Sequence, residues 1–196
     1  MRGRYGDGVS TGIYIPGLNL HHTFTLQTWI YAYTNSGTIF SKDKGGYAFE
    51  HAENLLDLEI IHGAISAKLY TNATDHFNGN CKTEDDVVKT ETWLNVAYVF
   101  LFDGMDTKVD IYVNTQLIKS FNGVGLFLED KDVHPNAWLM VSSSKPSGSI
   151  IPTNAFHGYM YRFRIINSID VANIFDDVDE IANCSNCEHV NPVVTN

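Results

Sequence analysis

Positive charge is scarce in this 196-residue chain: 13 Lys and Arg stand against 23 Asp and Glu, a net charge of -10 with His neutral. Binding to a phosphate backbone rests on clustered Lys and Arg, so the composition argues against a nucleic-acid partner. Long apolar runs are missing too. The longest, such as Val96 to Phe102, hold about seven residues, whereas a membrane-crossing helix needs roughly 20, so no transmembrane segment is expected. Met1-Arg-Gly-Arg is not followed by the apolar stretch of a signal peptide. The start fits a cytosolic chain or, as the preferred reading, a piece of a longer multidomain secreted or membrane-anchored protein. Catalytic signatures are also absent: there is no GxSxG, no phosphate-binding loop, no dinucleotide fingerprint and no HExxH among the eight histidines. His21 and His22 are adjacent, so on a strand their side chains diverge.

Cysteine is sparse. Cys81 sits in the polar stretch "NGNCKTEDD", while Cys184 and Cys187 lie in "NCSNCEH" near the C-terminus. Three thiols with His189 or His76 make a possible zinc set, but a structural zinc site normally pairs two half-sites and only one CxxC is present. A disulfide from Cys81 to Cys184 or Cys187 is the preferred expectation, leaving one odd thiol. Sequons at Asn72-Ala-Thr74 and Asn183-Cys-Ser185 are candidate glycosylation sites and agree with a secretory route.

What is abundant is short strand pattern. Hydrophobic residues make up 44% of the chain and aromatic residues 12%, a globular composition with enough length for a full core. In "TFTLQTWIYAY" the alternation puts Phe24, Leu26 and Ile30 on one face and Trp29 and Tyr31 on the other. "GTIFSK", "GGYAFEH", "LLDLEIIHG", "AISAKLYT", "LNVAYVFLF", "KVDIYVN", "AWLMVSSS" and "GYMYRFRIIN" follow with Gly, Asn and Asp between them. That spacing predicts an all-β protein, an antiparallel two-sheet sandwich. The exception is "SIDVANIFDDVDEIA", where Val171, Ile174, Phe175, Val178 and Ile181 recur at helical spacing behind Ser168 as N-cap, with Asp170 in the first turn. A short C-terminal helix over 169–182 is expected, with its stripe packed on the sandwich. The sandwich is assigned to 1–167, and the helix and Cys-containing tail to 168–196. Residues 122–136 read as the longest loop.

Together, "GDGVSTGIYIPG", "FTLQTWIYAY", "GTIFSKDKGGYAFE", "TWLNVAYVFLFDGMDTKVDIYVNTQLIKSF" and "FHGYMYRFRIIN" resemble the laminin-G-like, pentraxin-related branch of the concanavalin A-like lectin and glucanase superfamily, over roughly residues 6–167. The resemblance implies a jelly-roll sandwich. Two departures stand out. Asn114 is followed by Thr115 where the family hairpin usually carries Gly, and a β-branched residue is poorly suited to positive φ, so a different turn is expected. The closing strand reads Gly158-Tyr-Met-Tyr161-Arg162 where relatives often carry an acid that helps hold calcium.

Asp103, Gly104 and Asp106 fall where two strands reverse, and such residues favour tight turns. Calcium, a hard ion seeking six to eight oxygens, is the candidate cofactor, with Asp103 and Asp106 as ligands helped by Asp7 or the Glu129-Asp130-Asp132 loop. Asp57-Leu-Glu59 matches only part of the alternating acid pattern of the superfamily's glucanases, so no catalytic residue is assigned. Aromatic side chains suited to stacking on a sugar ring are Tyr31, Tyr33, Tyr47, Trp138, Tyr159 and Tyr161. The function expected is an extracellular, non-catalytic recognition or adhesion module for a glycan or a cell-surface protein. A glycoside hydrolase and a purely structural domain are the alternatives.

Overall fold

The computed structural model describes residues 4–7, 13–16, 20, 22–43, 54–69, 81–124, 138–141 and 154–166, with the side chains of 4–7, 13–16, 43, 54, 55 and 138–141 left aside. The expected helix over 169–182 lies outside these residues. So does most of the expected loop over 122–136.

Among the described residues every regular element is a strand. They are β1 (Arg4–Asp7), β2 (Ile13–Pro16), β3 (Phe24–Ala32), β4 (Gly37–Asp43), β5 (Asn54–Ile61), β6 (Ala64–Leu69), β7 (Cys81–Lys82), β8 (Trp93–Phe102), β9 (Thr107–Val113), β10 (Gln116–Phe121), β11 (Trp138–Val141) and β12 (His157–Ile166). They form two six-stranded sheets, β1-β12-β3-β8-β9-β10 and β2-β11-β4-β5-β6-β7, and all strand pairs are antiparallel. The expected sandwich is the observed architecture.

Period-two alternation explains the layering. In β3 Phe24, Leu26 and Ile30, in β8 Val96, Tyr98 and Phe100, and in β9 Val109, Ile111 and Val113 face inward, meeting Phe40, Leu56, Leu58, Ile60, Ile65, Ala67 and Leu69 of the second sheet. Phe24 stacks on Phe100 with centroids 4.3 Å apart, and Phe40 on Phe163 at 5.5 Å. At about 25 cal/mol per Å² of apolar surface removed from water, each such ring is worth a few kcal/mol.

Turn chemistry fixes register. His62 and Gly63 join β5 to β6 at φ 53° and 78°. Asn114 and Thr115 join β9 to β10 at φ 48° and 71°, with Gln116 opposite Val113, which is the two-residue loop of a type I′ hairpin. The different turn expected from Thr115 is therefore not what forms. Asn114 explains why: its side-chain Oδ1 accepts the Asn95 N–H at 2.9 Å, and its own N–H donates to the Asn95 carbonyl at 2.9 Å. The turn is tied to β8 on both sides, and Thr115 is carried into positive φ.

Candidate binding face

The first sheet has two faces, and the outward one holds the chemistry. Pairing of Tyr159 with Tyr31 and of Tyr31 with Trp93 lays three rings side by side across β12, β3 and β8. Tyr33, just past the end of β3, donates its N–H to the carbonyl of His157 at 2.9 Å, which adds a phenol and an imidazole to the same corner. Ring centroids lie 5.5 Å apart for Tyr31–Tyr33 and Tyr31–Trp93, 6.1 Å for Tyr31–Tyr159, 5.3 Å for Tyr33–His157 and 5.8 Å for Tyr33–Tyr159. These are the separations of tilted and edge-to-face contacts, in which rings hold one another in place. Tyr33 and Trp93 remain 37% and 38% exposed.

Backbone approach makes the corner possible. A side chain at Gly158, between His157 and Tyr159, would place its Cβ 2.0 Å from the Tyr31 carbonyl oxygen, and the residue sits at φ 153°; only glycine lets β12 close on β3 there. The next row of the face is Trp29 opposite Tyr161 and Asn95. Trp29 is buried, and Gln27 donates through Nε2 to Asn95 Oδ1 at 3.0 Å. Between Tyr161 and Arg164 the β12 ladder shifts register, with Arg162 at φ 53°. This bulge lays the guanidinium over the Tyr161 ring at 5.4 Å, and Nε donates to the Tyr161 hydroxyl at 3.2 Å. The corner thus presents aromatic rings, phenol hydroxyls, an indole N–H and an imidazole: flat apolar faces bordered by hydrogen-bonding tips.

Of the six aromatic candidates from sequence, Tyr31, Tyr33 and Tyr159 meet directly and Tyr161 borders them. Trp138 does not join them, because β11 lies in the other sheet between β2 and β4. Tyr47 lies outside the described residues. Sequence reasoning missed Trp93 and His157 as site residues. Trp93 was legible only as the head of a fold motif, and its place beside Tyr31 follows from the register of β3 on β8.

The other candidates resolve differently. Asp103 Oδ1 accepts the N–H groups of Met105 and Asp106, each at 2.9 Å, while Asp106 Oδ1 accepts that of Thr107 at 2.9 Å. The Asp106 amide, and then that of Met105, holds the Asp103 carboxyl below the usual aspartate range. Both acids thus cap the β8–β9 turn. Among the described residues no three His, Cys, Asp or Glu side chains gather as a metal cluster; Asp132 and its neighbours are outside them. Asp57 and Glu59 share the outward face of β5 and are both buried. Glu59 is engaged by Lys68 Nζ at 2.6 Å and by Asn154 Nδ2 at 3.1 Å. Cys81 is a buried free thiol, and its candidate partners Cys184 and Cys187, like Asn72 and Asn183, lie outside the described residues. No helix among the described residues is long and apolar enough to cross a membrane.

Among solved structures the chain is similar to the CBM40 of the Ruminococcus gnavus IT-sialidase bound to α2,3-sialyllactose, with a TM-score of 0.65 at 12% identity over 89% of this chain and 96% of that one. It is also similar to the heptameric SAP-like pentraxin of Limulus polyphemus, at a TM-score of 0.63 and 14% identity over 89% and 80%. Domains LG4-5 of the mouse laminin α1 chain match at 0.57 and 10% identity, over 83% of this chain and 40% of that one. No curated protein matches by sequence. A family model described as the concanavalin A-like lectin/glucanases superfamily matches residues 7–169, and the chain belongs to that superfamily.

Proposed function

We propose that the chain is an extracellular, non-catalytic recognition module that binds glycans on the aromatic corner formed by Tyr31, Tyr33, Trp93, His157 and Tyr159. The observation that carries this reading is a cluster of mutually braced rings left open on a sheet face. Clustered exposed aromatics on a domain with a complete core mark contact surfaces. Sugar rings present C–H faces that stack on such rings and hydroxyls that meet their polar tips. Because the rings already fix one another, little side-chain freedom is lost on binding. The similarity to a module solved with sialyllactose supports the same class of partner. Engagement of Glu59 by Lys68 and Asn154 supports a non-catalytic role, since both carboxylate oxygens are held by protein groups. Recognition by stacking does not route through calcium.

The test is a glycan screen with the full chain, with and without chelator, followed by titration of the best binder against Trp93→Ala and Tyr33→Ala. Both side chains are exposed, so the fold is retained, and each variant is expected to weaken binding about tenfold or more, or roughly 1.4 kcal/mol. Met105→Ala, at the exposed β8–β9 turn, is expected to bind normally. Unchanged affinity in both ring variants overturns the site, and hydrolysis of a glycan lost in Glu59→Gln overturns the non-catalytic reading.

A further inference from the structure

The same outward face changes character away from the aromatic corner. Ala97 and Val99 alternate with the inward Val96, Tyr98 and Phe100, so they point away from the core. They nevertheless form a second apolar cluster, 0% and 1% exposed, with Leu101, Tyr112 and Ile166 packed against it. Thr25, beside Val99 and Ile166 in the ladder, is also fully buried. The opposing sheet covers only the inner side, so a third layer lies over this half. At the aromatic half Tyr33 and Trp93 remain open, so the cover stops between the two.

We infer that residues 169–182 form this third layer, their apolar stripe seated on Ala97, Val99, Leu101, Tyr112 and Ile166. Continuity favours this segment: Ile166, the last residue of β12, is itself part of the cluster, and the stripe begins five residues later at Val171. Size agrees. A helix of 14 residues is about 21 Å long, and the three strand spacings from β12 to β9 cover about 14 Å. Charge agrees as well, because Asp170, Asp176, Asp177, Asp179 and Glu180 share the segment with the stripe, while Lys108 and Arg164 flank the covered half. The sheet face is therefore divided in two. The chain's own C-terminal segment seals one half and stands as a wall beside the aromatic corner.

Photo-crosslinking tests this directly in the full chain. With Tyr112 replaced by p-benzoylphenylalanine, irradiation and peptide mapping are expected to place most adducts in 169–182, whereas the same probe in place of Tyr33 is expected to place few there. Adducts from position 112 concentrated in 125–137, in another stretch or in a second copy overturn the assignment, as does the absence of any beyond the neighbouring strands. In a second arm, Phe175→Asp with Val178→Asp is expected to abolish those adducts and to raise the alkylation rate of a Val99→Cys thiol at least tenfold. Unchanged protection of that thiol overturns the proposal.

Discussion

Cys81 shows how much a single position depends on what surrounds it. Its neighbours in sequence are polar, yet it lies 2% exposed in the main core beneath β6, and burial pushes its pKa from 9.0 up to about 12. A group whose folded pKa is raised binds its proton more tightly when folded. The stability linked to it is complete below about pH 9 and is lost as pH rises toward 12. Burial moves the Tyr98 hydroxyl in the same direction. Unfolding midpoints in urea are therefore expected to fall from pH 9 to 11, with Cys81 removing up to about 1.4 kcal/mol per pH unit. Cys81→Ala is expected to be less stable at pH 8 and to lose less across that window. Iodoacetamide is expected to modify the native thiol far more slowly than the unfolded one; equal rates would contradict the burial. Asp103 behaves in the opposite way: exposed and capping a turn, it needs no neighbour beyond residue 107 to explain its hydrogen bonds.

Hairpins show where local preference yields. Strand pattern and turn residues locate β8, β9 and β10 in the sequence, but Asn114-Thr115 is a poor pair for two consecutive positive-φ positions. The turn forms because β8 holds Asn114 by two hydrogen bonds, and the strain falls on Thr115. Thr115→Gly relieves a β-branched residue at φ 71°, a penalty of roughly 1–2 kcal/mol that is offset in part by glycine's greater freedom in the unfolded chain. A net gain of about 0.5–1 kcal/mol in chemical denaturation is expected. A loss of stability would show that the threonine side chain contributes something else to the turn. The β12 bulge is the second such element. Its sequence, "GYMYRFRII", reads as regular alternation, but between Tyr161 and Arg164 the ladder slips, and that slip seats Arg162 on Tyr161.

At the scale of the whole molecule, β12 is the keystone. It joins β1 near one end of the chain to β3, so its partners lie more than a hundred residues away and its pairing closes the first sheet. Removing β1 strips an edge strand and is expected to leave a folded sandwich with a lower melting temperature. Removing β12 unpairs β3 and opens the core over Phe40 and Met160, and is expected to leave no cooperative transition by circular dichroism. Two equally stable products would contradict this asymmetry. Much of this architecture was legible beforehand: alternation of apolar and polar residues, Gly and Asn between strands, and the family-like motifs specify an antiparallel sandwich because each strand needs only its own pattern to know its buried face. Asp103 and Asp106 were legible as a turn for the same local reason. Which aromatic residues meet was not, because Tyr31, Trp93 and Tyr159 converge through register across β3, β8 and β12, and nothing within any one strand records its partner's register. Trp138, equal to them in composition, went to the other sheet, and the outward face around Val99 was buried against its polar-out expectation. The sequence by itself determined the strands, their inward faces and most of the turns, since those depend on neighbours within a few residues. Only the tertiary structure decided which rings share a corner, where Cys81 is buried and which half of a sheet face stays open, because those depend on pairings between residues far apart in the chain.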